Sequence, residues 1–204
     1  MFTIIDYKTG NLGSIQNMLK KIRQESIVTS DPSEIGSATK IILPGVGSFD
    51  QGMENLINLN IKEILNKKVI VDKIPVLGIC LGMQLMTLRS EEGKLQGLGW
   101  IDAETARFKF DDPSRFKSPH MGWNNIRQHR ESRLLKDMSP ESRFYFVHTY
   151  YIRSNNKADI LTSTEYEKEF TSSFEKENIL GVQFHPEKSH KFGMALLKNF
   201  AELY

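Results

Sequence analysis

The chain has 204 residues, 39% hydrophobic and 25% charged, a balance typical of a single folded domain over residues 1–204 with a full core. Its 27 basic and 25 acidic residues leave a formal net charge of +2, without the basic cluster of a nucleic-acid-binding surface. One cysteine excludes an internal disulfide, no apolar run reaches the ~20 residues that span a bilayer, and the first residues lack a signal-peptide pattern, so we expect a cytoplasmic protein.

Strand and helix candidates alternate through the first half of the chain. The predicted strands are Phe2–Tyr7, Ser26–Thr29, Lys40–Leu43 and Ile74–Ile79. The predicted helices are one that begins near Asn11 or Asn17 and carries Ile15, Met18, Leu19 and Ile22 on one face, one that follows Ser48, and one over Met83–Leu88. This alternation predicts a doubly wound, mostly parallel sheet covered by helices on both faces.

From Trp100 onward, short apolar segments are separated by polar turns. The predicted strands here are Glu104–Phe110, Phe144–His148, Ile160–Glu165, Phe170–Phe174 and Ile179–Phe184. They predict an antiparallel C-terminal extension of the sheet. The chain then closes with an amphipathic helix, because its last apolar residues recur at helical spacing from Phe192 to Leu203. The most loop-like interior stretch is Asp111–Lys117, which is too short to separate two domains.

The single cysteine lies in the segment Gly78–Gly82, between an apolar strand and a helix. At such a turn the sulfur of Cys80 projects outward, glycines permit a tight backbone, and the helix N-terminus favours the thiolate. This arrangement suits a nucleophile. The alternative is a small, buried and inert residue, which is common for free cysteine.

A histidine and a glutamate follow the last predicted strand, in Phe184–Glu187. Residues two apart in an extended chain point to the same side, so His185 and Glu187 can face one site. A cysteine nucleophile needs such a pair, because histidine moves the protons and a carboxylate fixes the tautomer of the imidazole. Without Cys80, the motif would more often be a surface histidine beside a glutamate.

The turn Pro44–Gly47 ends the third strand, at the same sheet edge as Cys80. Ligands of doubly wound sheets bind beyond that edge. An N–H of Val46 or Gly47 could therefore pair with the Leu81 N–H as an oxyanion hole. The alternative is an ordinary Gly/Pro turn.

Two further segments are candidates for substrate contact. Gln84 lies one helical turn after Cys80 and could hold a polar substrate near the sulfur, or it could be a solvated helix residue. The segment Pro119–Asn124 is predicted to be a polar and aromatic loop that could cover a small-molecule pocket. Its Trp123 could equally belong to the core.

Six motifs in the same order resemble the glutaminase subunits of imidazole glycerol phosphate synthases, a branch of the class I (triad) glutamine amidotransferases. They are Asp6–Leu12, Pro44–Gly47, Gly78–Gln84, Pro119–Asn124, Tyr145–Tyr150 and Phe184–Ser189, and together they cover the chain from end to end. The resemblance implies a flavodoxin-like α/β fold. It also implies that Cys80 attacks the glutamine amide, that His185 handles protons and that Glu187 orients His185. Oxyanion support would come from Leu81, Val46 and Gly47.

The resemblance implies further contacts as well. Those expected to bind L-glutamine are Gly47, Gln84, Pro119, His120, Met121 and Gly122. The implied partner is a (β/α)8-barrel cyclase (HisF-like) in a 1:1 heterodimer, which would use the ammonia to make imidazole glycerol phosphate in histidine biosynthesis. The docking positions of the family match Asn11, Tyr145 and Lys188. No cofactor and no metal ion are implied.

Some positions depart from the common pattern of these subunits. Lys8, Gly13 and Trp100 resemble instead a branch of paralogues associated with surface-polysaccharide genes, whose ammonia serves the synthesis of acetamidino sugars. The ammonia acceptor therefore has two candidates.

Two rival hypotheses concern the activity itself. One is a binding or regulatory module without turnover, which has less need of an intact triad, and the second is a stand-alone Cys-His hydrolase of peptides or γ-glutamyl compounds.

Overall fold

The computed structural model describes residues 1–204 and contains a sheet of 11 strands flanked by helices. The first strands are β1 (Phe2–Ile5), β2 (Ser26–Thr29), β3 (Ile41–Leu43), β4 (Val76–Ile79), β5 (Arg89–Ser90) and β6 (Ala103–Arg107). The later strands are β7 (His120–Asn125), β8 (Arg127–Gln128), β9 (Arg143–His148), β10 (Tyr150–Ser154), β11 (Ile160–Tyr166), β12 (Lys168–Lys176) and β13 (Ile179–Val182). The α-helices are α1 (Leu12–Lys21), α2 (Pro32–Gly36), α3 (Phe49–Asn58), α4 (Ile61–Asn66), α5 (Leu81–Leu85) and α6 (His190–Leu203).

The centre of the large sheet is parallel. Its strands follow the order β2-β1-β3-β4-β13, and each neighbouring pair in this series runs in the same direction. Strands β1, β3, β4 and β13 are buried along their whole length, as expected for strands covered by helices on both faces. The predicted α/β fold with a mostly parallel sheet is confirmed.

The sheet continues through antiparallel strands. Strand β12 pairs with β13, β10 pairs with β12, and β6 pairs with β10, while β11 joins β12 to β8. The predicted extension is therefore present, with one correction. The strand expected as its last member, β13, lies inside the parallel sheet beside β4. Its register on β4 brings the end of the chain next to Cys80.

Two apolar clusters cover the two faces of the sheet. One contains the buried residues of α3, α4 and α5, and the other contains those of α1 and α6. In α1 the buried residues are Ile15, Met18 and Leu19, and Asn11 caps the helix by accepting a hydrogen bond from the Ser14 N–H at 3.3 Å. Of the two predicted starts of this helix, the structure therefore has Asn11. None of the helices is long and apolar enough to cross a membrane.

Two local predictions were wrong. The helix after Cys80 spans Leu81–Leu85 rather than Met83–Leu88. It begins directly at the turn, and all five of its residues are buried. The segment Pro119–Asn124 was expected to be a loop, but from His120 onward it belongs to the strand His120–Asn125, which pairs with β9 in a separate two-stranded sheet. Its side chains do alternate between inside and outside, but polar residues at the inner positions conceal that period.

Candidate active site

Cys80 lies at a sharp turn between β4 and α5. Its φ of 53° and ψ of −109° are in the left-handed half of backbone space, which is unfavourable for a residue with a Cβ. The Cys80 N–H is fixed by a 2.8 Å hydrogen bond to the Val182 carbonyl on β13. Gly82 permits the turn, because a Cβ there would come within 1.7 Å of the Leu43 carbonyl oxygen. A strained cysteine at a strand-to-helix turn of the sheet edge is the geometry of a nucleophile elbow.

His185 and Glu187 form a buried pair just after β13. His185 Nδ1 and Glu187 Oε1 are 2.7 Å apart, and the two side chains are only 2% and 4% exposed. The backbone of His185 is also held, because its N–H donates to the Tyr145 carbonyl at 2.9 Å and Ser189 Oγ donates to its carbonyl at 2.6 Å. With Nδ1 bound to the carboxylate, Nε2 remains buried and without a hydrogen bond. That nitrogen is the one left for proton transfer.

The charge state of His185 follows from its neighbours. Burial by itself lowers the pKa of an imidazole, but the side chains of Cys80 and Glu187 outweigh it and raise the pKa of His185 to about 10. The protonated ring is stabilised by Glu187 on one side and by the sulfur on the other. Protonated His185 beside a thiolate is the form of the pair that attacks carbonyl carbon.

A pocket of about 310 Å³ opens onto Cys80, at the lower end of the roughly 300–1,000 Å³ common for small-molecule sites. Its lining residues are Val46, Gly47, Cys80, Leu81, Gln84, Glu92, Pro119, Val147, His148, Thr149 and Tyr150. Three residues expected to touch the substrate are not in this lining. His120 is buried behind His148, whereas Met121 is 62% exposed and the side of Gly122 is open. No group of three or more His, Cys, Asp or Glu side chains is placed to hold a metal ion.

The three backbone N–H groups expected to form an oxyanion hole belong to pocket residues, but one of the three is occupied. The Leu81 N–H donates to the Gly45 carbonyl at 3.3 Å, while the N–H groups of Val46 and Gly47 have no acceptor within the chain. Gly45 is held closely from below, since a Cβ there would lie 2.0 Å from the Tyr7 hydroxyl oxygen. An oxyanion can use the Leu81 N–H only after the Gly45 carbonyl releases it.

Gln84 is 5% exposed, and its amide is oriented by the protein. Its Nε2 donates to the Tyr150 carbonyl at 3.1 Å and to Gln183 Oε1 at 3.0 Å. Both N–H groups of the Gln84 side-chain amide are therefore used within the protein. The Oε1 of Gln84 accepts no hydrogen bond from any protein group. The part of Gln84 that remains for a substrate is an acceptor.

Sequence reasoning missed several pocket residues, of which Glu92 is the only charged one. Glu92 Oε2 accepts a 2.8 Å hydrogen bond from the Phe49 N–H. Burial raises the pKa of Glu92, and the charge of Asp50 adds to this effect while the Phe49 N–H opposes it. No sequence signal distinguishes Glu92 from its exposed neighbour Glu91, because only the packing of this turn on α3 places one of the two carboxylates in the pocket.

His148 lines the pocket and belongs to a directed chain of hydrogen bonds. Its Nδ1 is 2.7 Å from the Tyr150 carbonyl, which can only accept, so Nδ1 carries the proton. His148 Nε2 then accepts from His120 Nδ1 at 3.0 Å, and His120 Nε2 accepts from Asn124 Nδ2 at 3.3 Å. Burial lowers the pKa of His148 to about 3 and that of His120 to about 4, so both rings are neutral at pH 7.

The positions expected at a partner interface lie on the outer surface near this site. Lys188 Nζ is 5.7 Å from the ring centre of Tyr145, and Trp123 packs against the same tyrosine with ring centres 6.2 Å apart. Trp123 is 42% exposed, and the nearby Met121 is more so. Helix α1, which Asn11 caps, contacts the turn Pro186–Lys188. The exposed side chains of Met121, Trp123 and Lys188 therefore border the Cys80–His185–Glu187 site.

Comparison with known proteins agrees with this geometry. The chain is 58% identical over 200 residues to the imidazole glycerol phosphate synthase subunit HisH 2 of Methanococcus maripaludis, with 98% of each chain covered. It is 43% identical to HisH 1 of the same organism, with both chains fully covered. A crystal structure of a glutamine amidotransferase superposes with a TM-score of 0.76 at 16% identity, covering 98% of this chain and 97% of that one. The family model for glutamine amidotransferase class-I matches residues 3–203, and the chain therefore belongs to the class I glutamine amidotransferase family.

Proposed function

We propose that this chain is a glutaminase subunit that hydrolyses L-glutamine to L-glutamate and ammonia through a thioester on Cys80. One observation carries the proposal: Cys80 lies at a strained elbow and lines a small pocket, and the buried His185–Glu187 pair, which is outside that lining, reaches the Cys80 side chain through His185. Acyl transfer by a thiol needs these three parts, namely a nucleophile, a base and a carboxylate that orients the base. Membership of the amidotransferase family supports the same reaction class.

Each group has a defined step. Cys80 Sγ attacks the side-chain amide carbon, and the C–N bond breaks when His185 has given its proton to the nitrogen, so that ammonia leaves. A water molecule then attacks the thioester carbonyl and loses a proton to His185, and the C–S bond breaks to release glutamate. Glu187 keeps Nδ1 of His185 occupied throughout, which leaves Nε2 for every proton transfer.

The pocket also supplies an anchor for the other end of glutamine. Glu92 is its only carboxylate, and a free amino acid carries an α-ammonium group that a carboxylate binds well. The free oxygen of Gln84 can accept a further N–H of the substrate. Glutamine held in this way would present its side-chain amide to Cys80.

Glu92→Gln should raise the KM for glutamine about tenfold or more and change kcat much less. The amide keeps an acceptor for the Phe49 N–H but loses the charge that pairs with the ammonium group, a contact of about 1.5–3 kcal/mol. Glu91→Gln is the matched control, since that carboxylate accepts from the Arg107 N–H on the surface. Steady-state kinetics of glutamate release measure both variants. An unchanged KM in Glu92→Gln would show that Glu92 does not bind the ammonium group of glutamine.

We further propose that the ammonia passes to a (β/α)8-barrel cyclase bound in a 1:1 complex over the surface formed by Tyr145, Lys188, Asn11 and Trp123. Free ammonia would be protonated and diluted, so a glutaminase works best when docked on the enzyme that consumes its product. The relatives named as subunits of imidazole glycerol phosphate synthase support this partner and the histidine pathway. The exposed ring of Trp123, which packs against the half-buried Tyr145 beside the site, supports the location.

The partner with its own ligand bound should raise glutamate release roughly tenfold or more. In the free chain the Leu81 N–H is occupied by the Gly45 carbonyl, and a preorganised oxyanion donor supplies ~10²–10³ in rate. Lys188→Met should weaken the stimulation, whereas Lys73→Met, on the exposed Lys73–Glu177 pair, should retain it. Equal turnover with and without the partner would refute this coupling, and no turnover in either state would favour a non-catalytic module.

A second acceptor is supported by one observation. Methanococcus maripaludis has two HisH-named relatives of this chain, and the chain is 58% identical to one and 43% to the other. Two copies in one organism allow one of them to supply ammonia elsewhere, for example to a sugar amidotransferase of surface-polysaccharide synthesis. Expression of the chain with its cognate barrel in cells that lack the histidine-pathway pair separates the two: growth without histidine supports the cyclase, and continued histidine requirement supports the sugar pathway.

A further inference from the structure

Gln183 lies opposite the nucleophile because of the register between β13 and β4. Gly181 pairs with Gly78 and Val182 with Ile79, so the next residue of each strand is Gln183 on one side and Cys80 on the other. Gln183 is completely buried. Its Nε2 lies 3.7 Å from Cys80 Sγ, which is hydrogen-bonding distance for the large sulfur atom.

The direction of this contact is fixed by a backbone carbonyl. The Tyr150 oxygen can only accept, and it receives hydrogen bonds from Gln84 Nε2 and from His148 Nδ1. The Gln84 side chain therefore has its NH2 group toward the Tyr150 carbonyl, and the second N–H of that group donates to Gln183 Oε1 at 3.0 Å. With its oxygen occupied, Gln183 turns its own NH2 group to the sulfur. The sulfur thus meets a donor.

We propose that Gln183 is a positioning residue that holds the Cys80 sulfur in its attacking orientation and stabilises the thiolate through Nε2–H, with Gln84 and Tyr150 fixing the orientation of its amide. The proposal rests on the proposed glutaminase function for its consequence in turnover. A neutral donor stabilises the thiolate whatever the protonation state of His185 is. It therefore stabilises the sulfur both when the thiolate attacks the amide and when the thiolate leaves the thioester, although the protonation of His185 changes between these steps.

Other groups also face the sulfur. The Val147 carbonyl accepts from the thiol at 3.9 Å and therefore favours the protonated form. His185 interacts directly with the Cys80 side chain, the buried Tyr7 is close enough to feel its charge, and the neutral His148 and Glu92 line the same pocket as Cys80. Among these groups Gln183 is the neutral amide donor, so its removal leaves the Val147 acceptor unopposed whenever His185 is neutral.

Gln183→Met and Gln183→Glu test the proposal through the rate at which iodoacetamide alkylates the chain's single cysteine across pH. The methionine variant removes the donor and should move the midpoint of the pH–rate profile upward by about one pH unit. The glutamate variant places a carboxylate beside the sulfur and should move it further. Both should lower kcat for glutamine more than they raise KM. Midpoints equal to that of the unchanged protein, in folded variants, would overturn the proposal.

Asn178→Ala is the control for a structural effect. Asn178 precedes β13 at the opposite end of the strand and donates to the Val69 and Ile74 carbonyls, so the variant should lose stability and keep the alkylation midpoint. In the unchanged protein, selective ¹⁵N-glutamine labelling should show the Gln183 NH2 resonances shifting as Cys80 titrates, and resonances that stay in place would overturn the proposal without any variant. Alkylation needs no turnover, so a chain that shows these shifts but fails to hydrolyse glutamine would refute the proposed function alone.

Discussion

Replacing Cys80 with alanine is expected to lower glutamine-dependent turnover by about 10⁴-fold or more. The chain has one cysteine, so no second thiol can take over the attack on the amide carbon. In hydrolases with a comparable triad, loss of the nucleophile costs about as much as loss of all three groups, because they act as a unit. Glutamate release by the chain in complex with its partner measures the effect.

The same variant should keep the synthesis that starts from added ammonia. Only the ammonia source is lost in Cys80→Ala, while the exposed surface around Trp123, Tyr145 and Lys188 is unchanged, so the complex should still form. Product formation at high ammonium concentration is the control. Loss of both activities would show that Cys80 has another role, and retention of both would show that the glutaminase reaction does not use it.

Gly82→Ala is expected to destabilise the fold by about 2 kcal/mol or more and to lower turnover about 100-fold. The added methyl group would lie 1.7 Å from the Leu43 carbonyl oxygen, so α5 and the end of β3 must separate. Both elements carry the site, since α5 begins beside Cys80 and the Pro44–Gly47 turn follows β3. A displacement of about 1 Å at a reacting atom can cost 10²-fold in rate.

Gly13→Ala is the matched control for this substitution. Gly13 lies in the exposed first turn of α1 with nothing within 4 Å of an added Cβ, so the change should stabilise the protein by about 0.5–1 kcal/mol. Thermal and denaturant unfolding measure both variants, with glutamate release as the second readout. Similar effects of the two substitutions on stability would show that Gly82 is not required for the close packing of α5 against β3.

The local signals of the sequence predicted the local structure well. The apolar spacing from Ile15 to Leu19 is visible in the chain and indicates which face α1 buries. The start of α1 was narrowed to Asn11 or Asn17, and the cap formed by Asn11 in the structure decides between them. The strand Ser26–Thr29 was predicted with the bounds that the structure has. Such features depend on contacts a few residues apart, which the sequence displays directly.

The errors lie where a distant contact decides the outcome. His120–Asn125 becomes a strand only because β9 pairs with it, and its inner residue His120 is polar because it bonds to His148. Glu92 reaches the pocket because its turn packs against the start of α3. Gln183 was passed over as one more residue of an apolar strand, although it follows the register of β13 on β4 to the sulfur.

The sequence by itself determined the chemistry of the candidate site: one cysteine between glycines, a histidine and a glutamate two residues apart, and a glycine-rich turn at a strand end. The tertiary structure decided which of these groups meet, and how. Insertion of β13 beside β4 joins residues about a hundred positions apart, because parallel pairing places both carboxyl ends at one edge. It also decided that the Leu81 N–H is bound to Gly45, since such a contact depends on a backbone orientation that residue types do not specify.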